Sequence, residues 1–200
     1  MTTTSRGRRL KFAVIAVLLV AAALALTAAT QTWFTLTLRA SGARLPVSGA
    51  VAAPALSALA FAGIALAAAL AIAGPVIRLV LGALGIVLGG AIVLAAGLAL
   101  SDAVAAGAPA VTSSTGVSGQ DSVHALVSAV ATTPWPVLAI VAGVLVALGG
   151  LAVLLTARLW PASSRRYQAV RLEAADGTGR APDAVDEWDE LSRGDDPTAR

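Results

Sequence analysis

The chain has 200 residues, of which 58% belong to the apolar set AVILMFWYC and only 12% are charged, with a formal net charge of +3. A soluble domain carries about 25% charged residues, so too few remain here to cover a water-facing surface. The absence of cysteine and the single histidine exclude a disulfide-built module, a thiolate metal site and a histidine cluster. The composition therefore indicates an integral membrane protein.

Four apolar runs are long enough to cross a bilayer, since about 20 helical residues span ~30 Å of hydrocarbon. Backbone polar groups must be paired within each segment in lipid, so every run is predicted to be a helix. We therefore predict an all-α membrane protein with a four-helix transmembrane bundle. The predicted spans are residues 12–30, 51–73, 76–100 and 135–156.

These spans form a membrane domain of residues 12–157, between a basic N-terminus of residues 1–11 and a tail of residues 158–200. Gly74 and Pro75 separate the second and third spans, which predicts a tight helical hairpin because glycine ends helices and proline begins them. A cleaved signal peptide within residues 1–30 is the alternative for the first span; its apolar run is longer than is usual for such peptides.

The basic residues that flank the spans predict the orientation. Nine basic residues lie in the N-terminus, at the hairpin turn and in the first part of the tail, up to residue 171, whereas the loop 31–50 carries two and the loop 101–134 none. Both termini are therefore predicted to be cytoplasmic. The protein itself is expected in the plasma membrane.

Tryptophan and arginine near the span ends predict contacts with the membrane interface. Trp33 and Trp135 are expected to form an aromatic belt on the outer side, and Trp160 on the inner side. Arg78 follows the hairpin turn, from which its guanidinium is expected to reach the lipid headgroups.

The loop 31–50 shows the alternation of apolar and polar residues that is typical of strands. It predicts a small extracytoplasmic β-hairpin after the first helix, with a turn at Ser41 and Gly42. As a functional element, this hairpin would be a contact surface or a cap over a ligand. The simpler reading, which we favour, is a short ordered connector.

The loop 101–134 contains one short amphipathic pattern. Val123, Leu126, Val127 and Val130 have the spacing of one helix face, which predicts a short helix. His124 lies beside that face, with only two aspartates in the same loop. It is a poor metal ligand or catalytic candidate, because both chemistries need convergent partners.

The cytoplasmic tail changes charge along its length. Residues from 176 onward carry eight acidic and three basic side chains, after a basic segment that is expected to lie against anionic headgroups. Val185, Trp188 and Leu191 recur every three residues, which predicts a short acidic helix within 181–200 that docks into a partner's groove. A flexible tail, or one folded back onto the protein, is the other reading.

Catalytic, cofactor-binding and metal-binding motifs are not found in the sequence, so no residue is assigned to these roles and no cofactor is expected. The basic residues flank the bilayer instead of forming a stripe, which argues against nucleic-acid binding. Small residues in the third and fourth spans, among them Gly85, Gly89 and Gly143, predict close helix packing. This packing would be within the bundle or between the subunits of a homo-oligomer.

Short segments spread over nearly the full chain form a further pattern. They are residues 31–34 (QTWF), 47–49 (VSG), 52–56 (AAPAL), 73–75 (AGP), 133–136 (TPWP), 160–161 (WP), 165–167 (RRY) and 188–198 (WDELSRGDDPT). In this layout the chain resembles the actinobacterial tryptophan-biosynthesis-associated membrane proteins, also called Trp-region conserved membrane proteins. The resemblance implies a four-span protein encoded near tryptophan-biosynthesis genes, with no established activity and no site residues to carry over.

Two functions are compatible with these observations. The first is a non-enzymatic membrane anchor or regulatory subunit that binds a cytoplasmic partner through its acidic tail. The second is a transporter or exporter component for tryptophan, anthranilate or indole-like metabolites. A zwitterionic substrate would require polar groups or broken helices at the bilayer midplane, which the spans do not offer.

Overall fold

The computed structural model describes residues 3–157 and Trp160, and the side chains from residue 7 onward. It contains eight helices and three strands within these residues. The helices are α1 (Thr3–Thr30), α2 (Gly49–Ala52), α3 (Ala55–Ile72), α4 (Pro75–Ser101), α5 (Ala103–Ala106), α6 (Ala108–Thr115), α7 (Gln120–Leu126) and α8 (Trp135–Thr156). The strands are β1 (Thr32–Leu38), β2 (Arg44–Ser48) and β3 (Val127–Thr132).

Four of the helices are long and apolar enough to cross a membrane, which confirms the predicted number of spans. They are Gly7–Thr30 within α1, α3, α4 and α8. Pro75 is the first residue of α4, so its missing N–H is one that the helix would leave unpaired in any case. Thr27 donates its hydroxyl to the carbonyl of Ala23, 2.9 Å away, so this polar side chain is paired within α1.

The four long helices pack as a bundle in which α8 lies against both α4 and α1, and α1 also lies against α3. The buried positions of the bundle are mostly small. In α1 they include Ala21, Ala22, Ala25 and Ala28, each with no exposed surface. Small side chains let helices approach closely, which matters because lipid supplies little hydrophobic drive for association.

The strands form one antiparallel sheet in the order β2-β1-β3. The β1–β2 pair is the predicted hairpin, with Leu36 opposite Leu45 and a glycine of positive φ, Gly42, in its turn. The third strand was not predicted. The helix expected through Val130 instead ends at Leu126, because the next six residues pair with the free edge of β1.

One face of the sheet carries the core of this end of the molecule. Phe34, Leu36 and Val47 have no exposed surface. Around them, α6 packs against β2, and α5 and α7 pack against β3. A Cβ on Gly107 would lie 2.5 Å from the Cδ1 of Leu36, so the backbone between α5 and α6 rests directly on the sheet. We call the sheet together with α2 and α5–α7 the sheet end of the bundle, and the end at Gly74 the turn end.

Candidate functional site

Trp33 joins the sheet to the bundle. Its side chain has no exposed surface, and its Nε1 donates a hydrogen bond to the carbonyl of Ala28, 2.7 Å away. A Cβ on Gly49 would lie 2.5 Å from that Nε1, so only glycine leaves room for the indole. The expectation that Trp33 forms a lipid-facing belt was wrong, because the last turn of α1 and the start of α2 enclose its ring.

A cleft of about 300 Å³ opens beside the sheet end, between the start of α3 and the end of α4. Its walls are almost entirely apolar and small, with Pro54, Ala55 and Ala95 among them. Asp102 is the one ionisable residue in the lining. The cleft is therefore an open apolar groove with a single carboxylate where α4 ends.

Two neighbours hold the Asp102 carboxylate in place. Its Oδ1 accepts a hydrogen bond from the backbone N–H of Ala105 at 2.8 Å, which caps α5. Its Oδ2 lies 3.3 Å from the Nε2 of His124 on α7. The hydrogen bond from Ala105 is the largest cause of a lowered pKa of Asp102, and the proximity of His124 lowers that pKa further. The carboxylate is thus ionised at neutral pH.

The turn end carries basic groups around the C-terminus of α3. Arg78 is 1% exposed, and its Nε donates a hydrogen bond to the carbonyl of Ala73 at 3.0 Å. Its guanidinium carbon lies 5.4 Å from the centre of the Trp160 ring, a cation–π distance. The Nζ of Lys11 donates to the carbonyl of Ala71 at 2.7 Å. The expectation that Arg78 extends to the headgroups was wrong, because this packing encloses it within the protein.

The contact between α4 and α8 is made by backbone against backbone. A Cβ on Gly89 would collide with the backbone nitrogen of Ala147 and the carbonyl oxygen of Gly143. A Cβ on Gly85 would lie 3.1 Å from the Cα of Gly150, and one on Gly143 would lie 2.9 Å from the carbonyl oxygen of Gly89. The structure thus places all three glycines singled out from the sequence at a contact within the chain.

Two further sets of residues were singled out from the sequence, His124 and the docking residues of the tail. His124 is brought to Asp102, and the described residues contain no group of three side chains that could hold a metal ion. Val185, Trp188 and Leu191, the predicted docking residues of the tail, lie outside the described residues.

Sequence reasoning missed the cleft at Asp102. The signal available was an acidic residue placed directly after a long apolar span and followed by an alanine-rich segment. Nothing in that pattern indicates that α3 begins beside it, since the two segments are far apart in the sequence.

This architecture defines an α-helical multi-span membrane protein with a small sheet at one end of the bundle. A family model described as "Tryptophan-associated transmembrane protein" matches residues 15–198, nearly the whole chain. The protein therefore belongs to this tryptophan-associated transmembrane family. No curated protein and no solved structure matches the chain.

Proposed function

We propose that this protein is a non-enzymatic accessory protein of the plasma membrane that holds a cytoplasmic partner at the bilayer. The family description links the chain to tryptophan, so an enzyme of that pathway is the partner to test first. In this proposal the bundle is the anchor, and the acidic segment 181–200 docks the partner through Val185, Trp188 and Leu191.

The backbone contact between α4 and α8 is the observation that carries the proposal. An added methyl group has no room at Gly89, so α4 and α8 leave no gap at this position. Within the described spans, the charged side chains lie near the beginnings of α1 and α4, where Lys11 and Arg78 bind backbone carbonyls. Transporters place polar groups or broken helices at the midplane, so this packing favours an anchor over a conduit.

The proposed topology has both termini in the cytoplasm and the sheet end outside the cell, as the distribution of basic residues predicts. The chain has no cysteine, so in a single-cysteine variant the introduced residue is the only thiol that a maleimide can label. Ser128→Cys on the exposed strand β3 should react with an impermeant maleimide on intact cells. Ser5→Cys should react only after permeabilisation, and the reverse pattern would contradict the topology.

The docking role of the tail is tested by affinity purification of the full chain from gently solubilised membranes. A tryptophan at the centre of an interface commonly accounts for 2 kcal/mol or more, which is roughly thirtyfold in affinity. Trp188→Ala should therefore release the partner, whereas Trp188→Phe should retain most of it. A set of bound proteins that is identical for both variants and the parent would contradict docking through Trp188. The same purification gives the number of copies in the complex.

An efflux measurement separates the anchor from a transporter. A deletion strain and its complemented parent are compared for export of tryptophan, anthranilate and indole. The anchor proposal predicts equal export rates. A defect in export of any one of them that the complementing gene repairs would contradict the proposal and favour the transport function.

A further inference from the structure

The chemistry of the cleft at Asp102 restricts what it can bind. Its interior presents methyl groups and a proline ring, a surface that favours apolar ligands. Its volume of about 300 Å³ is at the lower end for ligand sites, which run from about 300 to 1,000 Å³, so a molecule of one or two rings would fill it.

The polar part of the cleft is a single negative charge. An ionised carboxylate accepts up to about four hydrogen bonds. The backbone N–H groups of Ala105 and Val104 and the ring of His124 use up to three of these positions, which leaves one for a ligand. Lys and Arg do not occur among the residues that line the cleft. An acid group of a ligand would therefore meet the like charge of Asp102, and no lysine or arginine of the lining would compensate it.

The position of the carboxylate sets the orientation of a ligand. Asp102 directly follows the last residue of α4, whereas Ala95 lies about two turns deeper along the same helix. A ligand that contacts both Asp102 and Ala95 would have its charged group at the membrane boundary and its ring towards the span. This is the arrangement of an amphiphilic amine.

We infer that this cleft is a binding site for a small aromatic amine, an apolar ring compound with one cationic amino group and no acid group. The ammonium group donates to the Asp102 carboxylate, and the ring lies against the alanines of α3 and α4. The site goes beyond the anchoring function proposed above and does not depend on it, since the cleft belongs to the sheet end and the docking segment to the tail.

The binding test uses the full chain in phosphatidylcholine nanodiscs, with isothermal titration calorimetry. The probe is tryptamine, whose indole ring is chosen for the family's association with tryptophan. Tryptophan, which adds a carboxylate to the same molecule, and 3-indolepropionate, which replaces the amine with an acid, are the matched ligands. Empty nanodiscs give the partition of each probe into lipid.

The expected result is saturable tryptamine binding at one site per chain. Tryptophan should bind about tenfold more weakly or worse, because its carboxylate meets the like charge of Asp102. The acid 3-indolepropionate should not bind, because it also lacks the ammonium group that pairs with Asp102. Tryptamine uptake that matches empty nanodiscs would overturn the inference. Binding of tryptophan as tight as that of tryptamine would overturn the amine selectivity.

Two variants assign the binding to the cleft. Ala55→Leu places a larger side chain at an exposed position of the lining and should reduce tryptamine affinity at least tenfold. Ala83→Leu makes the same change at an exposed position of α4 about 18 Å from Ala95, and should leave the affinity unchanged. Equal effects of the two changes would overturn the assignment.

Asp102→Asn tests the charge with little change of shape. Its side-chain oxygen still accepts from the N–H of Ala105, so the cap of α5 is kept while the negative charge is lost. Tryptamine should bind about tenfold more weakly to this variant, and the difference between tryptamine and tryptophan should shrink. Unchanged tryptamine affinity would show that the carboxylate does not bind the amine.

Discussion

The closest contacts in the bundle differ in kind from those at the sheet end of this protein. In the bundle, the closest contacts are between glycine backbones, as at Gly89 and Gly143. At the sheet end, the core consists of large side chains such as Trp33, Phe34 and Leu36, all without exposed surface. Lipid gives no net reward for burying a large apolar side chain, so helices that span a membrane gain from close approach of their backbones. The large buried side chains of the sheet end are the kind of core that is stabilised in water, as the proposed topology requires.

The largest expected effect is at Trp33, where the two regions meet. Trp33→Ala removes a fully buried indole and should destabilise the sheet end by about 3–5 kcal/mol. Hydrogen exchange of the β1 amides in detergent or nanodiscs measures this loss. Trp33→Phe keeps an aromatic ring, so it should destabilise the sheet end far less than Trp33→Ala. Equal protection of β1 in Trp33→Ala and the parent would contradict the role of the indole as the link to α1.

The second effect tests the close contact in the bundle. Gly89→Ala places a methyl group against the backbone of Ala147 and should cost about 1–3 kcal/mol, since neither helix can yield without moving the other. Unfolding in mixed micelles of increasing dodecyl sulfate content measures the change. A variant as stable as the parent would show that α4 and α8 are further apart than the structure places them.

The third effect is electrostatic and belongs to the sheet end. Asp102→Ala removes the cap of α5 and should cost about 1 kcal/mol at neutral pH. The pKa of Asp102 is lowered from its usual value of 3.8 in the folded protein, so the stabilisation is complete above that value and is lost as the pH falls through the lowered pKa. Protection of the α5 amides, measured from neutral pH down to about pH 2, should fall at the acid end in the parent only. If protection of the α5 amides falls in the same way in Asp102→Ala, the loss of protection is caused by the titration of another group.

The smallest effect provides the control for the bundle. Gly90 is next to Gly89 but has nothing within 4 Å of an added Cβ. Gly90→Ala should be neutral or stabilise α4 by about 0.5 kcal/mol, because alanine is the better helix former. Destabilisation as large as that of Gly89→Ala would show that this face of α4 is also covered, as it would be in a homo-oligomer.

The sequence alone determined that four segments of this chain form long apolar helices, each a candidate membrane span. An unpaired backbone group is so unfavourable in lipid that long apolar runs have one outcome, whatever their neighbours are. The β-hairpin was also readable, because polar and apolar residues alternate along β1 within one local segment. These features depend on local composition and on the solvent.

Tertiary structure decided the rest. Val127 and Val130 suit a helix face or a strand equally well, and only the free edge of β1, some 90 residues earlier, selects the strand. The position of the Trp33 ring depends on the space that Gly49 leaves. The cleft at Asp102 depends on the start of α3 and the end of α4, which are distant in sequence. Each of these features is set by the energy of a contact between remote segments, which a local pattern of residues does not contain.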